Sequence, residues 1–79
     1  IIVDDHTLVR AGLSRLLQTF DDVDVVGEAS DARQALDMAM LHRPDLVLMD
    51  LSLPGRSGLD AMSDILREAP RIRVVMMSM

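Results

Sequence analysis

Four short apolar runs divide the chain: Ile1–Val3, Val23–Val26, Leu46–Met49 and Val74–Met77. As a set they are rich in β-branched residues, and they do not alternate with polar ones. That is the pattern of strands covered on both faces, as in a parallel sheet. Between the runs the apolar period becomes helical. Val9, Leu13, Leu16, Leu17 and Phe20 share one stripe, which predicts a helix from Thr7 to Thr19. Ala32, Ala35, Leu36, Ala39 and Met40 make a second stripe, and Asp31 with Gln34 has capping-box spacing ahead of it. Leu59, Met62, Ile65 and Leu66 make a third, with Ser57 placed to cap it, Asp60 three positions on, and Pro70 to end it.

The predicted order is β-α-β-α-β-α-β, with strand starts spaced as in βαβ units. Crossovers between parallel strands are nearly always right-handed. If the second strand lies to one side of the first and the third to the other, the first two helices cover opposite faces. The carboxyl ends of strands one and three then flank a topological switch point, where open α/β sheets bind ligands.

Composition narrows the chemistry. The 79 residues contain no Cys, so thiol nucleophiles and Cys-bound zinc are excluded. All eight cationic residues are Arg, which removes a P-loop lysine and Schiff-base chemistry. A net charge of −5 makes the chain a poor binder of nucleic acid by itself. No apolar run approaches the ~20 residues of a membrane span. No secretory signal is visible, so the expected location is cytoplasmic. The first and last apolar runs sit at the chain ends without polar caps, which predicts a piece of a longer polypeptide.

The switch point is acidic. The first strand runs into Asp4 and Asp5, and the third ends in Asp50. Each Asp taken alone is ordinary at a strand-to-helix turn. Three at the tips of adjacent strands would repel strongly in a partly desolvated crevice and require a counter-ion. An all-oxygen set suits Mg²⁺ or Mn²⁺ better than zinc, and Mg²⁺ at such sites commonly shares its shell with phosphate oxygens.

Three segments carry a family resemblance: DDHTLVRAGL from Asp4 to Leu13, DLVLMDLSLPGRSG from Asp45 to Gly58, and VVMMS from Val74 to Ser78. Together they resemble the receiver domain of bacterial two-component response regulators. The first segment is similar to the NarL/LuxR-type transcriptional regulators. The resemblance implies a flavodoxin-like (CheY-like) α/β fold, a doubly wound parallel sheet of strand order 2-1-3-4, with residues 1–79 as the amino-terminal two-thirds of the domain. The fifth strand, its flanking helices and the output domain would then be missing. It implies that Asp50 is the phosphoacceptor, taking a phosphoryl group from a sensor histidine kinase. By the same resemblance Asp5 ligates Mg²⁺ directly, Asp4 mainly through water, and Ser52 through its backbone carbonyl. Ser78 contacts the phosphoryl group, and Pro54 and Gly58 shape the loop after Asp50. DNA would be reached only through the output domain, and no membrane is involved. The implied role is a phosphorylation-controlled switch and not an enzyme.

The chain departs from the family in lacking Lys altogether, whereas the family places one at the end of its fifth strand. The fourth strand would also be left as an apolar edge, which predicts a homodimer or an oligomer formed by exchange of segments. His6, as metal ligand or phosphocarrier, competes with a solvated residue at a helix start; with no second His nearby, the latter is expected. Arg56 is read as a solvated loop residue, the other arginines as scattered, and the seven Met as core filling. Gly27 is read as a close backbone approach or a bulge. Two alternatives stay open on chemistry alone. One is a Mg²⁺ phosphatase with an Asp nucleophile, although no D-x-D stands at the end of the first strand. The other is a flavodoxin-like cobalamin module, although Val9 stands where its D-x-H-x-x-G motif needs Gly.

Overall fold

The computed structural model describes residues 1–78. Its elements are β1 (Ile2–Val3), α1 (Thr7–Leu17), β2 (Glu28–Ala29), α2 (Ala32–His42), β3 (Leu46–Asp50), α3 (Gly58–Glu68) and β4 (Arg73–Met77). All strand pairs are parallel and the order is β2-β1-β3-β4, the predicted doubly wound arrangement. The helices α2 and α3 pack together on one face of the sheet and α1 packs on β1, so right-handed crossovers place α1 on the opposite face.

One strand differs from the sequence reading. The second strand is Glu28–Ala29 and not Val23–Val26. The cause is register: Ile2 lies level with Glu28 and Val3 with Ala29, and the Ile2 amide donates to the Gly27 carbonyl at 3.2 Å. Among the described residues Val23–Val26 lies before the paired segment of this ladder. These residues line a groove at the amino end of the sheet with Ile1, Leu17 and Leu46. Gly27 does mark a close approach, because a Cβ there would press on the Met38 side chain of α2.

The core lies between the sheet and the α2–α3 pair. Val3, Val47 and Met49 from the strands meet Ala35 and Ala39 of α2 and Ala61 and Ile65 of α3. Small residues on both helices let them approach each other and the strands closely. The caps form as predicted: the Asp31 side chain accepts from the Gln34 amide at 2.8 Å, and Ser57 Oγ accepts from the Asp60 amide at 3.2 Å. The Gln34 side chain bonds back to Ser30 and not to Asp31.

Burial departs from the predicted stripes in two helices. Leu59 of α3 is exposed, because Gly58, Ala61 and Ile65 carry the contact with the sheet and α2. Leu16 and, beyond the end of α1, Phe20 are also exposed, and Val9, Leu13 and Leu17 are only half-buried. Among the described residues α1 has no helix beside it on its face of the sheet, so only the side turned directly toward β1 is covered. The helix stops at Leu17 and not Thr19, where the Thr19 amide and hydroxyl both donate to the Leu16 carbonyl.

Two glycines set opposite expectations for substitution. A Cβ on Gly58 would overlap the Asp50 carbonyl oxygen, whereas a Cβ on Gly12, inside α1, meets nothing within 4 Å. Gly58→Ala is expected to destabilise the full-length protein by about 1–3 kcal/mol through overpacking. Gly12→Ala is expected to stabilise it by about 0.5–1 kcal/mol through helix propensity. Urea denaturation of the two variants beside wild type checks both signs.

Candidate functional site

The site is built where β1 and β3 end side by side. Val3 is level with Met49, so Asp4 emerges level with Asp50. The Asp4 amide still donates to the Ala29 carbonyl at 3.0 Å, which holds it in the ladder with β2. Asp4 is therefore fully buried, whereas Asp5 turns outward and is partly exposed. Asp50 closes β3 and is only 6% exposed. Its Oδ1 accepts from the Ser52 amide at 3.0 Å, which fixes the carboxylate rotamer.

Carboxylate oxygens of Asp4, Asp5 and Asp50 and a ring nitrogen of His6 all lie within 4.8 Å of one another. Within this group Asp4 Oδ2 is buried and has no hydrogen-bond partner. An unpartnered buried carboxylate oxygen carries a desolvation cost on the order of 1–3 kcal/mol or more. A hard divalent cation removes that cost and the mutual repulsion together, so the donor set fits Mg²⁺ or Mn²⁺.

His6 contributes more than the sequence suggested. It stands at the N-cap of α1 with a ring 63% exposed, as expected of a helix start. Its backbone amide, however, donates to Asp4 Oδ1 at 2.8 Å, and its Nδ1 lies 3.0 Å from both Asp4 Oδ1 and Asp5 Oδ1. The hydrogen bond to Asp4 and then the charge of Asp5 hold the His6 pKa above its ordinary value of about 6.5. Reading the sequence for a second His overlooked that adjacent carboxylates suffice to engage the ring.

Arg10 was also missed. One turn into α1, its guanidinium donates from Nη1 to the Asp4 carbonyl at 2.7 Å and from Nε to Glu28 Oε1 at 3.1 Å. Its side chain is only 18% exposed. It thus ties α1 to the ends of both β1 and β2 beside the acid group. Spacing along the chain gives no sign of this, because Glu28 approaches only once β2 pairs with β1. Arg56 instead pairs with Asp64 of α3 at 2.6 Å, an exposed loop contact.

The remaining predicted residues fall at the same end of the sheet. Met77 is level with Asp50, and the Leu51 amide donates to the Met77 carbonyl at 2.9 Å. Ser78 follows directly and is exposed. The loop after Asp50 is closed by the Gly58 amide donating to the Leu51 carbonyl at 2.8 Å and is pinned by buried Leu53. It turns through Pro54 and Gly55, whose φ of +80° is easy only for glycine.

Comparison with known proteins agrees with this geometry. The family model of the response regulator receiver domain matches residues 1–79. The chain is 45% identical over 75 residues to response regulator GacA of Pseudomonas viridiflava, covering 95% of this chain and 35% of that protein. It is 41% identical over 78 residues to response regulator protein VraR of Staphylococcus epidermidis, covering 99% of this chain and 37% of that one. Among solved structures, a LuxR-family two-component response regulator from an Aurantimonas species superposes with a TM-score of 0.95 at 38% identity. That match covers 99% of this chain and 56% of the other. The chain thus spans about a third of the length of the curated relatives it matches.

The His6 geometry has a sign that can be measured. The protonated ring is paired in the folded protein, so its stabilising contribution is fully present below about pH 6.5 and is lost as pH rises through the raised pKa. In full-length protein kept free of divalent ions, NMR titration is expected to place His6 above 6.5. Asp5→Asn is expected to move it back toward that value.

Proposed function

The chain belongs to the response regulator receiver domain family, and from that premise we propose that Asp50 is its phosphoacceptor. The observation that carries this is the buried, unpartnered Asp4 Oδ2 grouped with Asp5 beside Asp50 at the switch point. The donor is read as a phosphohistidine on a sensor histidine kinase. A carboxylate oxygen of Asp50 attacks phosphorus, the P–N bond breaks, and the histidine nitrogen leaves with the electron pair. Asp50 becomes an acyl phosphate. As an anion at neutral pH it needs no base, and the lability of its product suits a reversible signal.

Each neighbour has a part in this reading. The Ser52 amide holds Asp50 Oδ1, which leaves Oδ2 as the attacking oxygen. Asp5, Asp4 and the Ser52 carbonyl would hold Mg²⁺ or Mn²⁺ together with Asp50. When bound, the ion supplies neutralisation of the charge on the transferring phosphoryl oxygens. Arg10 keeps the Asp4 backbone in place. The phosphoryl group then adds about −1.5 to −2 charge and three acceptor oxygens. Ser78, following the β4 residue level with Asp50, would donate its hydroxyl to one of them. That draws the end of β4 toward Asp50 and makes the chain a switch rather than a metabolic enzyme.

The same reading takes residues 1–79 as the amino-terminal two-thirds of a receiver domain whose DNA contact is made by an output domain outside these residues. Support comes from relatives that are response regulators of about three times this length. Among the described residues β4 is the outer strand of the sheet and is paired only with β3, and association as a homodimer or by exchange of segments is read from that edge. Among the described residues no helix is long and apolar enough to cross a membrane, and a cytoplasmic location follows from the proposed kinase partner. The matching relatives lend no support to the phosphatase or cobalamin alternatives.

Full-length protein incubated with acetyl phosphate and Mg²⁺ is expected to gain an acid-stable, base-labile phosphoryl group, read by phosphate-affinity electrophoresis. Asp50→Asn should abolish it. Chelation of the metal should slow it on the order of 100-fold, as expected when several kcal/mol of charge stabilisation are removed. Labelling that survives Asp50→Asn would refute the assignment.

A further inference from the structure

We propose that His6 is a nitrogen ligand of the divalent-ion site and shifts the site's preference from Mg²⁺ toward borderline ions such as Co²⁺. The inference builds on the reading of the acid group as an ion site but not on the phosphoacceptor role of Asp50.

Geometry carries it. His6 Nδ1 lies 3.0 Å from Asp4 Oδ1 and 3.0 Å from Asp5 Oδ1. Two ligands at about 2.1 Å from an octahedral ion and at right angles to each other are about 3.0 Å apart. The ring nitrogen therefore sits at the spacing of a neighbouring ligand around a shared ion. Nδ1 and two carboxylate oxygens repel unless something electropositive lies between them, and only a proton or a cation can do so. A second observation points to the cation. A proton on Nδ1 serves Asp4 Oδ1 and Asp5 Oδ1 but leaves Asp4 Oδ2, buried in the same group, without a partner.

The rest of the ring is compatible with this role. His6 is 63% exposed, so its Nε2 proton can be hydrated while Nδ1 faces inward. Its backbone amide is anchored on Asp4 Oδ1, which holds the ring over the group. Its side chain makes no cap bond to α1 that coordination would have to break.

The chemical consequence is selectivity. Carboxylate, carbonyl and water oxygens suit Mg²⁺ and Mn²⁺, whereas an imidazole nitrogen adds more to the binding of Co²⁺, which lies higher in the Irving–Williams order. His6 thus makes the site responsive to which divalent ion is abundant.

Full-length wild type and His6→Ala are compared at about pH 8, above the ordinary imidazole pKa. Calorimetry gives the Co²⁺ and Mg²⁺ affinities, and pulsed EPR of the Mn²⁺ form detects nitrogen bound to the metal. The expected result is nitrogen modulation in wild type that disappears in His6→Ala. The Co²⁺-to-Mg²⁺ affinity ratio should fall about 10-fold or more in the variant. Absence of nitrogen modulation in wild type, which needs no variant to fold, overturns the proposal. So does an equal loss of Co²⁺ and Mg²⁺ affinity on substitution. If wild type binds none of the three ions, the ion site itself falls, and the metal role proposed above falls with it. If the ions bind and Asp50 is labelled but His6 is silent, only the ligand role of His6 is lost.

Discussion

The parallel pairing of β1 with β3 governs everything at the acidic end of the sheet. The Leu48 amide donates to the Ile1 carbonyl at 2.9 Å, and Val3 lies level with Met49. Because side chains alternate across a strand, slipping this ladder by one residue would turn Asp50 to the other face and bury a carboxylate among the core residues. Register is therefore protected by the cost of misplacing a charge as well as by the packing of Val47 and Met49. The two neighbouring tips then bring together carboxylates that oppose one another, and the repulsion is what makes the place useful.

Arg10 and His6 divide the tasks around the group. Arg10 neutralises no carboxylate oxygen of Asp4; it binds the carbonyl, and its charge is answered by Glu28. It is a brace between α1, β1 and β2. His6 faces the carboxylate oxygens directly and remains largely in solvent. Arg10 is thus structural and mostly buried, and the His6 ring stays open to solvent.

Much of this was legible in the residues. Unbroken apolar runs signalled a parallel sheet, and Asp31 and Ser57 marked two helix starts correctly. The acids at the ends of the first and third runs pointed to the switch point before any coordinates. What escaped were features that depend on partners distant in sequence. Val23–Val26 has the composition of a strand, yet strand pairing is decided by what lies opposite, and β1 lies opposite Glu28 and Ala29. Leu16 and Phe20 fit the helical period but are exposed, because period gives a face and not the presence of something to cover it. Arg10 was unremarkable in spacing and acquired its role only when strand pairing brought Glu28 within reach, whereas His6 engages carboxylates that stand beside it in the sequence.

The tight seat of Gly58 has a mechanical consequence. The residue that begins α3 rests on the Asp50 carbonyl, and its amide is bonded to Leu51. Helix and strand end therefore meet without slack, like a lever resting on its fulcrum. A shift of the Asp50 backbone would press directly on the start of α3. The Asp50 backbone is thereby in direct contact with the first turn of a helix eleven residues long, so the two cannot be repositioned independently.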